Sequence, residues 1–331
     1  MLFEYDFSSD TFTKKVNFDG AAKGRKPFGS LMQASNGKMY GMTRQGGASD
    51  IGVFFEYDPD TDTYTKILDL DGATTGSFPA GSLMEADNGK LYGMTAWGGS
   101  SDEGVLFEYD MGSNTYTKKL EFGGTDFGSH PQGSLIQGSN GKLYGLTSEG
   151  GTSDDGVLFE YDPANDTYTK KLDFDGTDKG SKPLGSLMHG SNGKLYGMTK
   201  EGGDADLGVF FEYDPVSETY TKKLDFDGTD GQKPLFGHLI EVNPNPVGIK
   251  THSLFNQVSI YPNPNQGLVN IDLGSLKDVI ITVFNVSGQI VYHKENINTS
   301  THQFKLNEAP GVYVLEVSAN GEQQQYKLVK E

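Results

Sequence analysis

Trp97 is the only tryptophan in the chain, and it stands where equivalent segments carry Gln45, Glu149 and Glu201. An indole set among glycines and polar groups can stack on a sugar ring or anchor a protein partner. Arg25, Arg44, His130, Glu149 and Lys200 lie in segments of the same kind and could hydrogen-bond a ligand beside it. Solvated loop charge is the plainer reading of Arg25, Arg44, His130 and Lys200, and gap filling that of Trp97. These six are the expected ligand-binding residues. Carboxylates crowd Asp173-Phe174-Asp175-Gly176-Thr177-Asp178 and Asp225-Phe226-Asp227-Gly228-Thr229-Asp230, a chemistry suited to Ca²⁺. Glycine arrives at the fourth position, however, and a calcium-binding EF-hand loop needs it at the sixth. Gly123 also replaces the central acid in one unit, and turn chemistry explains Asp-Gly equally well. Calcium is the one cofactor this chemistry suits, and none is expected. No catalytic residue is assigned: the 6 histidines do not recur at one position, and neither a zinc-type His-Glu motif nor a Gly-x-Ser-x-Gly elbow occurs.

The elements that must position these residues recur. Phe-Glu-Tyr-Asp begins at Phe3, Phe55, Phe107, Phe159 and Phe211, an interval of 52 each time. Tyr-Gly-Met/Leu-Thr begins at Tyr40, Tyr92, Tyr144 and Tyr196, with the same interval. A fixed period near fifty residues marks a solenoid, propeller or array. Each unit reads as four short strands. Strand A is Gly-Ser-Leu plus a mixed apolar segment, and an Asn-Gly pair follows (Asn36-Gly37 and its equivalents), expected to form a two-residue hairpin with both central residues at positive φ. Strand B is Lys-Leu/Met-Tyr-Gly-Met/Leu-Thr, whose glycine (Gly41, Gly93, Gly145, Gly197) predicts a bulge or a neighbouring backbone close by. Strand C is Gly-Val-Leu/Phe-Phe-Glu-Tyr-Asp, and strand D is Tyr-Thr-Lys-Lys/Ile-Leu. Nothing shows a sustained 3.6-residue apolar period, so almost no helix is expected.

Four antiparallel strands joined by tight turns describe a propeller blade. Gly-Lys-Leu-Tyr, the Gly-Gly pairs (Gly46-Gly47, Gly98-Gly99, Gly150-Gly151, Gly202-Gly203), Tyr-Asp-Pro and Thr-Tyr-Thr resemble the Kelch repeat, over residues 1 to 242. The units also look like a family of Gly-rich extracellular bacterial tandem repeats. The resemblance implies an all-β propeller. Four full units plus the strands at either end give about five blades, one of them composite and lacking strand B, with a larger ring expected in a longer precursor. Alternating strand direction puts the A–B and C–D turns on one face and the B–C and D–A loops on the other. The first set hardly varies among units, whereas the second does, and variable loops on a rigid scaffold are where binding usually resides.

Composition narrows the partners. The chain of 331 residues has 45 acidic and 27 basic side chains, net −18, which disfavours nucleic acid and anionic membrane surfaces. With no cysteine there is neither a disulfide nor a thiolate site. No run of about 18 apolar residues is present to cross a membrane as a helix.

The repeat stops at Val242. Residues 243–256 read as a Pro- and Asn-rich linker, and 257–331 as a small immunoglobulin-like sandwich of seven short strands. Tyr261-Pro262-Asn263-Pro264, the turn Phe284–Gly288, Gly311-Val312-Tyr313-Val314 and the closing Lys327-Leu328-Val329-Lys330 are similar to the C-terminal type A sorting domain of the type IX secretion system. That resemblance implies a Gram-negative host, export to the outer-membrane surface or beyond, and two partners: the secretion machinery and a sortase-like peptidase. The N-terminus opens inside a repeat without a signal peptide, so truncation there is expected. The sequence reading is therefore a secreted or surface-anchored propeller that binds a glycan or protein through its B–C/D–A loop face. A polysaccharide hydrolase or lyase, or a purely structural surface protein, is the alternative.

Overall fold

Alternating Tyr, Phe, Val and Thr favour a pleated, half-buried surface, and each unit obeys that preference. In the computed structural model, which describes residues 1–237, 239–242, 258–286, 288–319 and 322–331, the first full unit forms β3 (Met32–Gln33), β4 (Met39–Thr43), β5 (Val53–Asp58) and β6 (Thr63–Asp69). They pair antiparallel in that order. The next unit is β7 (Met84–Glu85), β8 (Leu91–Thr95), β9 (Val105–Asp110) and β10 (Thr115–Glu121), followed by the four-residue helix α1 (Gly124–Phe127). Then come β11 (Ile136–Gln137), β12 (Leu143–Thr147), β13 (Val157–Asp162) and β14 (Thr167–Asp173), and finally β15 (Met188–His189), β16 (Leu195–Met198), β17 (Val209–Asp214) and β18 (Thr219–Asp225). Ahead of these four sheets, β1 (Leu2–Asp6) and β2 (Thr11–Val16) pair as a two-stranded sheet. The fifth strand A expected near 237–242 is not a strand at residues 239–242.

Strands B and C are near-continuous apolar runs, buried on both faces of each sheet, so neighbouring units bury each other. Tyr92, Met94 and Leu106 of one sheet pack on Leu135, Leu143, Phe159 and Tyr161 of the next. Tyr144, Leu146 and Leu158 repeat the arrangement against Leu187, Leu195, Phe211 and Tyr213. Each such aromatic or leucine, fully buried, contributes about 1.5–3 kcal/mol. Between sheets the backbone draws close: a Cβ on Gly81 would lie 2.2 Å from the Gly133 carbonyl oxygen, and one on Gly133 2.3 Å from that of Gly185. The amides of Ser30, Ser82 and Ser134 donate to the hydroxyls of Ser82, Ser134 and Ser186, each at 2.8 Å. These Gly-Ser segments line one common cavity together with Phe28 and Phe236, so the inner edges of successive units gather around a shared axis.

Two local expectations are corrected. The A–B turn is not a two-residue hairpin with both central residues at positive φ. Gly37 has φ 84° but Asn36 does not join the positive-φ residues, and the Gly37 amide donates to the Ala34 carbonyl at 2.9 Å. Asn36 is used through its side chain, accepting from the Lys38 amide at 3.0 Å and donating to the Tyr40 hydroxyl at 2.9 Å. The strand-B glycine marks no bulge either. Gly145 stays in register opposite Phe159, and the register shift falls between β13 and β14, at Leu158/Phe159. What approaches Gly145 is side chain: a Cβ there would lie 2.5 Å from Phe159 Cζ and 3.0 Å from Leu135 Cδ2.

Residues 1–241 and 242–331 form two compact units; the expected linker 243–256 lies outside the described residues. In the second unit β19 (Ser259–Tyr261), β20 (Leu268–Asp272) and β23 (Thr301–Lys305) form one sheet. β21 (Val279–Phe284), β22 (Ile290–Ile297), β24 (Gly311–Ala319) and β25 (Glu322–Lys330) form the other. Val269, Ile271 and Phe304 of the first meet Ile281, Val283, Leu315 and Leu328 of the second in one apolar core.

Candidate functional site

The loops after strands B and D meet, because each D–A loop returns beside the B–C loop of the unit it enters. Single bridges join Arg25 to Gln45, Ser77 to Trp97, Ser129 to Glu149 and Ser181 to Glu201. The residue after each D–A partner bends back at positive φ (Lys26, Phe78, His130 and Lys182) and hands its carbonyl or amide to a neighbouring loop. For His130 the result is a junction between two units. Its amide donates to the Glu103 carbonyl at 2.9 Å, and its carbonyl accepts from the Ser148 amide and hydroxyl.

That junction brings three of the six expected residues together. The Trp97 indole and His130 imidazole lie with centroids 4.0 Å apart and planes tilted 42°. His130 Nδ1 is 3.0 Å from the Ala96 carbonyl, and Nε2 is 3.6 Å from the Glu149 carboxylate. Trp97 keeps 39% of its surface exposed beside that imidazole. The other three residues lie elsewhere. Arg25 donates from Nε to the Asp50 carboxylate at 2.9 Å. Lys200 pairs with Glu201 at 2.7 Å, and Lys182 shares that acid at 3.2 Å. Arg44 rests on Phe28, 5.4 Å from the ring centroid, and burial lowers the pKa of its guanidinium.

The cavity at the shared axis has a volume of about 60 Å³, room for a few waters and too little for a sugar ring. In the Asp-rich segments the central carboxylates are spent on their own turns, and Asp173 and Asp225 pair with Lys170 and Lys222. Asp175 accepts from the Thr177 and Lys179 amides at 3.0 and 2.9 Å, and Asp227 from the Thr229 amide at 2.8 Å. Among the described residues no group of three or more metal-type side chains is assembled.

One constellation escaped the sequence reading although its spacing is constant. Glu108 accepts from Lys90 Nζ and the Tyr92 hydroxyl, both at 2.6 Å, while Asn88 donates to the same hydroxyl at 2.9 Å. The set recurs as Lys38–Tyr40–Glu56, Lys142–Tyr144–Glu160 and Lys194–Tyr196–Glu212. Identical in all four units and set on the invariant face, it holds strand B to strand C. The signal was an acid 16 residues after each strand-B tyrosine.

In the second unit the Tyr-Pro-Asn-Pro segment clasps the chain end. Asn263 donates to the Lys327 carbonyl at 2.7 Å and accepts from the Val329 amide at 2.8 Å, and Asn265 donates to the Val329 carbonyl. Lys330 reaches the Leu306 carbonyl at 3.0 Å and pairs across the ladder with Gly311. Tyr261 ends β19 opposite Asn270 of β20, and Pro262 and Pro264 line a pocket with the terminal Glu331, whereas Gly288 takes φ 79° in the β21–β22 turn. Lys327 is exposed. Among the described residues no helix is long and apolar enough to cross a membrane.

Known proteins share these parts. The family model described as the secretion system C-terminal sorting domain matches residues 259–331, which indicates type IX secretion to the cell surface or the exterior, as in the Bacteroidetes. Among solved structures, PorZ of Porphyromonas gingivalis, an essential surface component of the type IX secretion system, is 14% identical with a TM-score of 0.46. The alignment covers 99% of this chain and 48% of that one. TolB from Acinetobacter baumannii is 12% identical (TM-score 0.44, 99% and 59% covered). The extracellular domain of the one-component system BT4673 from B. thetaiotaomicron is also 12% identical (TM-score 0.47, 99% and 48% covered). The chain thus spans about half the length of these structures. No curated protein matches it. The Gloeobacter/Verrucomicrobia repeat matches residues 1–180 and 75–260, the greater part of the sequence, and the chain belongs to that repeat family.

Proposed function

We propose that this exported protein is a binding module whose repeat part carries a glycan or protein ligand on its B–C/D–A loop face, centred on Trp97. The supporting observation is the partly exposed indole lying against His130, ring centroids 4.0 Å apart, with the Glu149 carboxylate beside the same imidazole. An apolar ring face flanked by a polar ring and an acid suits a sugar, whose C–H face packs on the indole while its hydroxyls find hydrogen-bond partners. Arg44 and Lys200 lie in the equivalent loops of other units and would extend the same surface; Arg25 is committed to Asp50. The blades are read as Kelch-like and arranged as a propeller, and the second unit as an immunoglobulin-like address that the secretion machinery and a sortase-like peptidase recognise. Residues 1–242 and 257–331 would then be cargo and signal.

A glycan array probed with residues 1–242, wild type against Trp97→Ala, tests the binding reading. Loss of about 1–3 kcal/mol of affinity, roughly 5- to 150-fold, is expected for the variant. Equal signals from both proteins would remove Trp97 from the site, and silence from both would remove glycans as the ligand.

A further inference from the structure

We propose that the ligand at the Trp97 site is a glycan of amino sugars with free amines, and that one amine donates to both Glu149 and His130. This rests on the binding reading above and names the chemistry it would recognise. The imidazole sets that chemistry. His130 Nδ1 is 3.0 Å from the Ala96 carbonyl oxygen, which can only accept, so Nδ1 carries a proton. In the neutral ring Nε2 is then an acceptor. It faces the Glu149 carboxylate, a second acceptor, at 3.6 Å, too far for a hydrogen bond between them. Two acceptors placed in this way can share one donor nitrogen from a ligand. A sugar hydroxyl has a single proton to give, whereas an ammonium has three.

The surroundings leave that place to a ligand. The Glu149 side chain is 46% exposed, and among the described residues no side chain hydrogen-bonds its carboxylate. Lys182 is within electrostatic reach of it but pairs with Glu201 at 3.2 Å. The imidazole is held where it is: the His130 amide, carbonyl and Nδ1 are tied to Glu103, Ser148 and Ala96, and the ring lies against Trp97. An ammonium beside the partly exposed indole gains a cation–π attraction as well, and the sugar ring that carries it offers a C–H face to the same indole. A lysine side chain of a protein partner has the ammonium without the ring, so the indole favours the sugar. A net charge of −18 draws cations to the surface and disfavours acidic polysaccharides. The equivalent loop pairs are Gln45 with Phe78 and Glu149 with Lys182; neither joins an indole, an imidazole and an acid.

Three hexasaccharides with one β-1,4 backbone separate the chemistry: glucosamine with its free amine, N-acetylglucosamine with an amide, and glucose with a hydroxyl. In calorimetry on the full chain, the glucosamine hexamer should bind roughly 10- to 150-fold tighter than either of the others. Glu149→Gln, a change of equal size at a side chain without a hydrogen bond, should remove that preference. Asp60→Asn, the loss of one exposed acid in a C–D turn, should keep it. A preference that survives Glu149→Gln, or that Asp60→Asn lowers as much, is general attraction to an acidic protein and overturns the proposal. Equal binding of the three hexamers, lost in Trp97→Ala, also overturns it while the binding reading stands. No binding of any hexamer overturns it, and the glycan array then decides the binding reading by itself. Pentalysine bound as tightly as the glucosamine hexamer, with the same loss in Glu149→Gln, overturns it in favour of a lysine-bearing protein.

Discussion

At the scale of single residues, what decides a position is the atom that approaches it. Gly145 is needed because the Phe159 ring and the Leu135 methyl occupy the space a Cβ would take. Gly145→Ala is therefore expected to lower stability by about 1–3 kcal/mol through overpacking, read as a shift in the urea midpoint with unchanged slope. Phe159→Leu, which removes the ring carbons in contact, should make the alanine cheaper than it is in the wild type. The sequence flagged this glycine but named a backbone neighbour or a bulge as the cause. Only the tertiary structure reveals the direction of a side chain on the neighbouring strand. Trp97 was legible as an outlier among the repeats. Its contact with His130, 33 positions on, was not, because it depends on how a D–A loop folds back over the preceding unit.

At the scale of elements, each sheet is pinned along strands B and C by a buried carboxylate. Burial would raise the Glu160 pKa, but the Lys142 ammonium at 2.8 Å and the Tyr144 hydroxyl overcome that and hold it below its ordinary value. A carboxyl whose folded pKa is depressed adds stability above its unfolded pKa, and that stability is lost as pH falls through the folded value. Glu160→Gln should therefore cost about 1–2 kcal/mol near pH 7. Its gap to the wild type should close as pH drops below about 4.5, measured by urea melts from pH 7 to pH 3. A gap that is constant with pH would show that the charge does not contribute. The sequence contains this set in plain order, yet by itself Asn-Gly signals only turn chemistry. The physical role came from Asn36 and its equivalents spending their side-chain amides on the tyrosine hydroxyl.

For the whole molecule, the repeat part and the sorting part each carry a core of their own. Removing residues 259–331 is expected to leave the repeat part folded but retained in the periplasm of a type IX-competent host, with surface protease accessibility as the readout. Surface exposure of the truncated protein would count against the address. Within the sorting part, the clasp between Asn263, Asn265 and the last strand explains why a motif near its start and four residues at its end read as one signature. They are neighbours across a sheet edge.

The amino-acid sequence alone determined the period, the four strands of each unit, the near absence of helix and the separate tail, since alternation, turn residues and spacing are local properties of a chain. Tertiary structure decided which loops touch, and that three of six proposed ligand residues gather while Arg25 and Lys200 turn to acids of their own. Those outcomes depend on contacts between residues tens to hundreds of positions apart, and identical units carry no mark of which neighbour each will meet.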